Sequence, residues 1–115
     1  MKNKVILITR PMLGTVAPED IKFGHEMLDK FLHNLEKPEN RPAAIIFYTE
    51  GVKAAVKGGG FELSLQLLRD LGVEMYLCQS CLNYYGLKEE DAIGTVTGMD
   101  HIIELMHAPH EVVRI

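Results

Sequence analysis

Short runs of consecutive apolar residues alternate along this chain with segments whose apolar residues recur at helical spacing. Two of the runs, Val5–Ile8 and Ala43–Tyr48, contain no charged position. A strand exposed on one face would alternate apolar and polar residues, so uninterrupted runs indicate strands that are covered on both faces. Further strands are predicted at Val73–Leu77, at Ile93–Val96 and at the terminal segment Val112–Ile115.

Helices are predicted between these strands. Apolar residues recur at i, i+3, i+4, i+7, i+8 and i+11 over residues 24–35, and this helix should end near Pro38. A second apolar stripe covers residues 61–71. Ser80 is a candidate N-cap for a short helix. Residues 97–100 resemble a capping box at the start of the last helix, with Asp in the place of Glu.

The alternation of strands and helices predicts a single α/β domain over residues 1–115, a three-layer α/β/α sandwich with a mainly parallel sheet. Right-handed crossovers place every strand-to-helix loop at one edge of such a sheet, and open α/β sheets bind ligands at that edge. Four loops should therefore meet there, and they cover residues 10–20, 49–60, 78–80 and 97–98.

The charge of the chain excludes several classes of partner. The net charge is −4 and the isoelectric point is about 5.7, whereas nucleic acids and anionic membranes attract cationic surfaces.

No apolar run approaches the roughly 20 residues that span a bilayer. The apolar stretch after Lys4 is too short for a signal peptide, and Thr9–Pro11 ends it. We therefore expect a cytoplasmic protein with no nucleic-acid or membrane partner.

The two cysteines, Cys78 and Cys81, form a C-x-x-C motif at the junction of the third strand and the short helix. Two cysteines are too few for a disulfide framework or a closed zinc site, so we expect no metal and no cofactor. Unpaired N–H groups at a helix N-terminus lower the pKa of a nearby thiol. This position predicts that Cys78 is the more reactive thiol and Cys81 a resolving or structural one. The alternative is that both are buried as small apolar residues.

Two cations on neighbouring loops, Lys53 and Arg10, are candidates to stabilise a thiolate or an anionic substrate. The alternative is that both are ordinary solvated surface charges. Because the topology places their loops at the edge that carries Cys78, we expect one cleft to be built from residues 10–15, 49–53 and 78–80.

The segment Cys78–Leu87, with the sequence CQSCLNYYGL, resembles the signature of the DsrE/DsrF-like family. It is most similar to the DsrE-like domain of the YedF-like proteins of selenium metabolism, which carry C-x-x-C-L-x-Y-Y-G-L at the same junction. Residues 45–53, 94–99 and 112–115 are also similar to the family, so the resemblance covers essentially the whole chain.

This resemblance implies a five-stranded parallel α/β/α fold, a homo-oligomer and a role in sulfur relay. In the sulfur carriers of the family, a cysteine eight residues before a glycine accepts a persulfide, and that spacing falls on Cys78 and Gly86. YedF-like proteins also contain a TusA-like domain with a Cys-Pro motif, to which nothing here corresponds. The resemblance therefore implies that a separate protein, such as a TusA-like sulfur carrier, would give or receive the sulfur.

Our leading hypothesis is a small sulfur carrier or sulfurtransferase-like protein with a persulfide on Cys78. A dithiol redox protein that cycles between Cys78 and Cys81 is the first alternative, since C-x-x-C near a βαβ unit is typical of thioredoxin-like chemistry. The absence of Trp and the Gln79–Ser80 pair in place of Gly-Pro speak against a thioredoxin.

The second alternative is a non-catalytic oligomeric module that binds a small ligand or the tail of a partner. Apolar residues in loops also favour a homo-oligomer, because they suggest contacts beyond the monomer. These residues are Met12, Leu13, Val16, Val52 and Val56.

Overall fold

Five strands form one parallel sheet in the computed structural model, which describes residues 1–115. Neighbouring strands are hydrogen-bonded in the order β4-β3-β2-β1-β5, and every pair is parallel. The α/β class and the parallel five-stranded sheet are therefore confirmed. In chain order the strands are β1 (Lys4–Ile8), β2 (Ala44–Phe47), β3 (Glu74–Cys78), β4 (Thr95–Thr97) and β5 (Glu111–Arg114).

Helices connect consecutive strands. Right-handed crossovers that step from β1 to β4 in one direction place their helices on one face, and the return crossover to β5 places its helix on the other. None of the helices is both long enough and apolar enough to cross a bilayer. The α-helices are α1 (Ile21–Asn34), α2 (Glu62–Asp70), α3 (Gln79–Tyr84) and α4 (Met99–Glu104), and 3-10 helices cover Pro18–Asp20, Pro38–Asn40, Thr49–Ala55 and Glu89–Asp91.

The hydrophobic core surrounds the two central strands. Nearly every side chain of β1 and all of β2 are buried, with Ile6 beside Ile45 in the parallel register. Strand β5 lies at an edge, and its side chains are exposed. Val52 and Val56 belong to the core. Their apolar character is therefore used within the monomer, so they do not support the argument for an oligomer.

Helix starts differ from the sequence-based expectation in two places. Cys78 instead of Ser80 is the N-cap of α3, because β3 continues through Cys78 and pairs it with Thr97 of β4. Helix α4 begins after Gly98 without a side-chain cap. The hydroxyl of Thr97 is instead hydrogen-bonded to Nδ1 of His101, at 3.0 Å.

Candidate functional site

Two turns lie side by side at the carboxyl edge of the sheet. Strand β2 ends at Phe47 and leads into the 3-10 helix Thr49–Ala55, while β3 ends at Cys78 and leads directly into α3. The two strands are neighbours, with Phe47 paired to Leu77. Parallel neighbours end at the same edge, so the turn after β2 faces the C-x-x-C motif.

A hydrogen bond joins these two turns. The backbone N–H of Thr49 donates to Sγ of Cys81 across 3.0 Å. Thr49 has a φ of +48°, a left-handed conformation that is rare for a β-branched residue. Its hydroxyl lies 2.7 Å from the carbonyl oxygen of Tyr48 and 3.2 Å from that of Thr9. The turn is therefore held against the end of β1 in the conformation that directs its amide toward sulfur.

The two thiols differ sharply in their access to solvent. Cys78 is 3% exposed and belongs to the hydrophobic core, whereas Cys81 is only partly buried. Both thiols are free. Cys81 lines an open pocket of about 410 Å³ together with Thr49, Ser80, Tyr84 and Tyr85. The greater reactivity expected of Cys78 stays a prediction. In this structure Cys81, and not Cys78, is the thiol that meets solvent.

Burial and two neighbouring residues act on the pKa of the Cys81 thiol. Partial burial has the largest effect and raises the pKa of the Cys81 thiol, and the neighbouring Cys78 thiol raises this pKa further. The N–H of Thr49 lowers this pKa because it favours the thiolate. The net effect is a raised pKa, so Cys81 is held mainly as the uncharged thiol at neutral pH.

We expect the alkylation rate of Cys81 to increase with pH along a curve whose midpoint lies above about 8.5, the ordinary pKa of a cysteine thiol. The reason is that burial disfavours the charged thiolate, which is the reactive form. Timed iodoacetamide labelling followed by mass spectrometry of the Cys81 peptide measures this midpoint. A midpoint below that of free cysteine in the same buffer would contradict the geometry described here.

The two candidate cations occupy different places. Nζ of Lys53 lies 4.3 Å from the centroid of the Tyr85 ring, a cation–π contact beside the Cys81 pocket. Arg10 lines another pocket, of about 200 Å³, together with Arg114 at the end of β5. The Cys81 pocket is thus lined from two of the three expected loops. The loop after β1 opens instead toward β5, which pairs with β1 on the side away from β2.

Thr49 is the site residue that inspection of the sequence missed. Its position directly after a buried strand predicts that it lies at the carboxyl edge. Nothing about a threonine indicates a left-handed backbone or an amide that points at sulfur. Tyr84 and Tyr85, whose rings meet edge to face at 5.1 Å, complete the pocket wall. No group of three or more His, Cys, Asp or Glu residues is arranged to hold a metal ion.

A known family matches most of this chain. The model of the DsrE/DsrF-like family matches residues 32–115, a range that contains the C-x-x-C motif and the turn that carries Thr49. The chain belongs to the DsrE/DsrF-like family. No curated protein matches it in sequence.

Several solved structures have a fold similar to that of this DsrE/DsrF-like protein. The protein of unknown function MTH1491 from Methanobacterium thermoautotrophicum is 17% identical over 100% of both chains, with a TM-score of 0.71. The ychN protein from E. coli is 17% identical over 100% of both chains, with a TM-score of 0.68. The conserved protein of unknown function BT1422 from Bacteroides thetaiotaomicron is 18% identical over 98% of this chain and 95% of its own, with a TM-score of 0.65. At these identities the likeness shows a shared fold.

Proposed function

We propose that this DsrE/DsrF-like protein carries sulfur as a persulfide on its cysteine pair and hands it to another protein. Membership of a family that includes sulfur-relay proteins supports a sulfur-related role. The observation that carries the proposal is the asymmetry of the pair at the carboxyl edge. One sulfur, on Cys81, opens on a pocket and accepts an N–H hydrogen bond, and the other, on Cys78, is almost completely shielded.

The chemistry of a persulfide carrier needs these features. A thiolate attacks the outer sulfur of a donor persulfide, the donor's S–S bond breaks, and the donor leaves as a thiolate. No net oxidation takes place, because one persulfide replaces another. The attacking thiol must be accessible, and the persulfide that forms must be protected from oxidants. The family resemblance assigns the persulfide to Cys78, and the burial of Cys78 supports that shielded resting position.

The partners of this carrier are part of the same proposal. A separate TusA-like sulfur carrier in the cytoplasm would give or receive the sulfur. A homo-oligomer is supported by exposed apolar side chains on the two contacting helices α1 and α2, with Phe23 58% and Leu63 85% exposed. Light scattering at micromolar concentration should give a mass above the monomer's 12.9 kDa, and a monomeric mass would contradict this part.

A dithiol redox role is the second candidate. Cys78 is the N-cap of α3 and Cys81 lies in its first turn, the C-x-x-C spacing that is typical of reversible disulfides. The two candidates predict different covalent products, so one measurement separates them.

Intact-mass spectrometry after incubation with a small-molecule persulfide provides that measurement. We expect the reduced protein to gain the mass of one sulfur atom and to lose it again on treatment with a thiol reductant. A variant with both Cys78→Ser and Cys81→Ser is the matched control and should gain nothing. The loss of two hydrogens without a gain of sulfur would favour the redox role. No covalent change under either treatment would favour a binding module.

A further inference from the structure

We propose that Cys81 is the entry thiol of this carrier and that the sulfur then passes from Cys81 to Cys78. This inference rests on the proposed function, and it adds an order of events and a separate role for each cysteine. It reverses the expectation from the motif that Cys78 reacts first.

The first argument is access. A sulfur atom can be transferred only when the attacking sulfur reaches the donor persulfide, and the side chain of Cys78 is 3% exposed within the hydrophobic core. Cys81 lines the pocket and Cys78 does not. An incoming donor therefore meets Cys81 first, between Thr49, Tyr84 and Tyr85.

The second argument is the support given to the Cys81 sulfur. The amide of Thr49 donates to it across 3.0 Å, and this hydrogen bond becomes stronger when the uncharged thiol is converted to the attacking thiolate. The unusual φ of +48° at Thr49 directs this amide. Strained backbone of this kind is concentrated at functional sites. Cys81 is thus accessible and also has a donor in place for the negative charge that develops when it is the nucleophile.

The third argument is the spacing of the two cysteines. Cys78 is the N-cap of α3 and Cys81 lies in its first turn, and residues three positions apart on a helix are neighbours. In the first step the Cys81 thiolate attacks the outer sulfur of the donor, and the donor leaves as its thiolate. In the second step Cys78 attacks that same sulfur on Cys81, and the Cys81 thiolate is released. The proton of Cys78 is transferred to the departing Cys81 sulfur. Each step makes and breaks one S–S bond and needs no oxidant.

The consequence is that sulfur is loaded at the exposed Cys81 and stored as a persulfide on the buried Cys78. A persulfide on Cys78 would lie in the core, away from the oxidants that attack exposed sulfur. Return of the sulfur to Cys81 would present it again to an acceptor in the pocket. Cys81 would therefore exchange sulfur with other proteins, and Cys78 would hold the sulfur between these exchanges.

Single-cysteine variants test this order. With a small-molecule persulfide as donor, we expect Cys81→Ser to lose loading over the time in which the wild type is fully loaded. We expect Cys78→Ala to load as fast as the wild type and to carry its sulfur on Cys81. In the loaded wild type, peptide mapping after rapid alkylation should find the sulfur first on Cys81 and later on Cys78. Circular dichroism should confirm that both variants are folded, and Cys78→Ser is the second choice if Cys78→Ala is not.

The outcomes separate this inference from the proposed function. If Cys81→Ser loads at the wild-type rate, Cys78 is the entry thiol and the inference is wrong, although the carrier role stands. If sulfur in the wild type never reaches Cys78, the second step is wrong. If the wild type gains no sulfur at all, the proposed function itself fails, and the order of events fails with it.

Discussion

Replacement of Gly51 by alanine is expected to lower the free energy of unfolding by about 3 kcal/mol or more. A Cβ atom at this position would lie 1.9 Å from the carbonyl oxygen of Ile8 and 2.7 Å from its carbonyl carbon. That oxygen also accepts a hydrogen bond from the N–H of Tyr48, at 3.3 Å. The clash is therefore with backbone that cannot move aside without disturbing the contact between β1 and the turn after β2. Urea denaturation followed by circular dichroism measures the loss.

The control for this prediction is Gly98→Ala. The nearest atom to a Cβ there is Oδ1 of Asp100, at 2.8 Å, and this exposed side chain can rotate away. We expect a change within about 1 kcal/mol. Equal stability of Gly51→Ala and the wild type would contradict the close approach. Since Gly51 lies two residues after Thr49, a folded Gly51→Ala protein should also show a changed alkylation rate at Cys81.

Replacement of Phe47 by alanine should destabilise the protein by about 3–5 kcal/mol, the usual cost of removing a buried phenylalanine. Phe47 is completely buried at the end of the central strand β2, where it is paired in register with Ile8 on one side and Leu77 on the other. Its removal leaves a cavity on one face of the sheet, and pairing with β1 and β3 prevents β2 from moving to fill it. The same denaturation experiment measures this effect.

Phe23→Ala provides the matched comparison for Phe47→Ala. Phe23 lies on α1 and is 58% exposed, so truncation removes the same atoms from a site that is largely in water. We expect a loss of about 1 kcal/mol or less in the monomer. The comparison is made at a protein concentration at which light scattering gives the monomer mass. A similar loss at both positions there would contradict the exposure of Phe23.

The sequence was sufficient to predict the elements that depend on local pattern. The uninterrupted apolar runs at Val5–Ile8 and Ala43–Tyr48 predicted buried strands, and the structure confirms both as the central strands β1 and β2. The motif from Cys78 to Leu87 was enough to indicate the family, which the family model confirms. These features can be predicted from the sequence because a buried strand and a short motif each depend on consecutive residues.

Tertiary structure decided what neighbouring residues cannot encode. Strand β5 pairs with β1, and Arg10 lines a pocket with Arg114 at the end of β5 instead of the pocket of Cys81. Tertiary structure also decided how the two cysteines differ, although they are the same residue type and only three positions apart. One lies in the core and the other meets solvent and the amide of Thr49, because exposure depends on which distant segments pack over a side chain. The sequence by itself determined that two thiols stand at the carboxyl edge of a parallel sheet. Only the tertiary packing, which places Cys78 in the core and leaves Cys81 at a pocket, decided which of them is accessible.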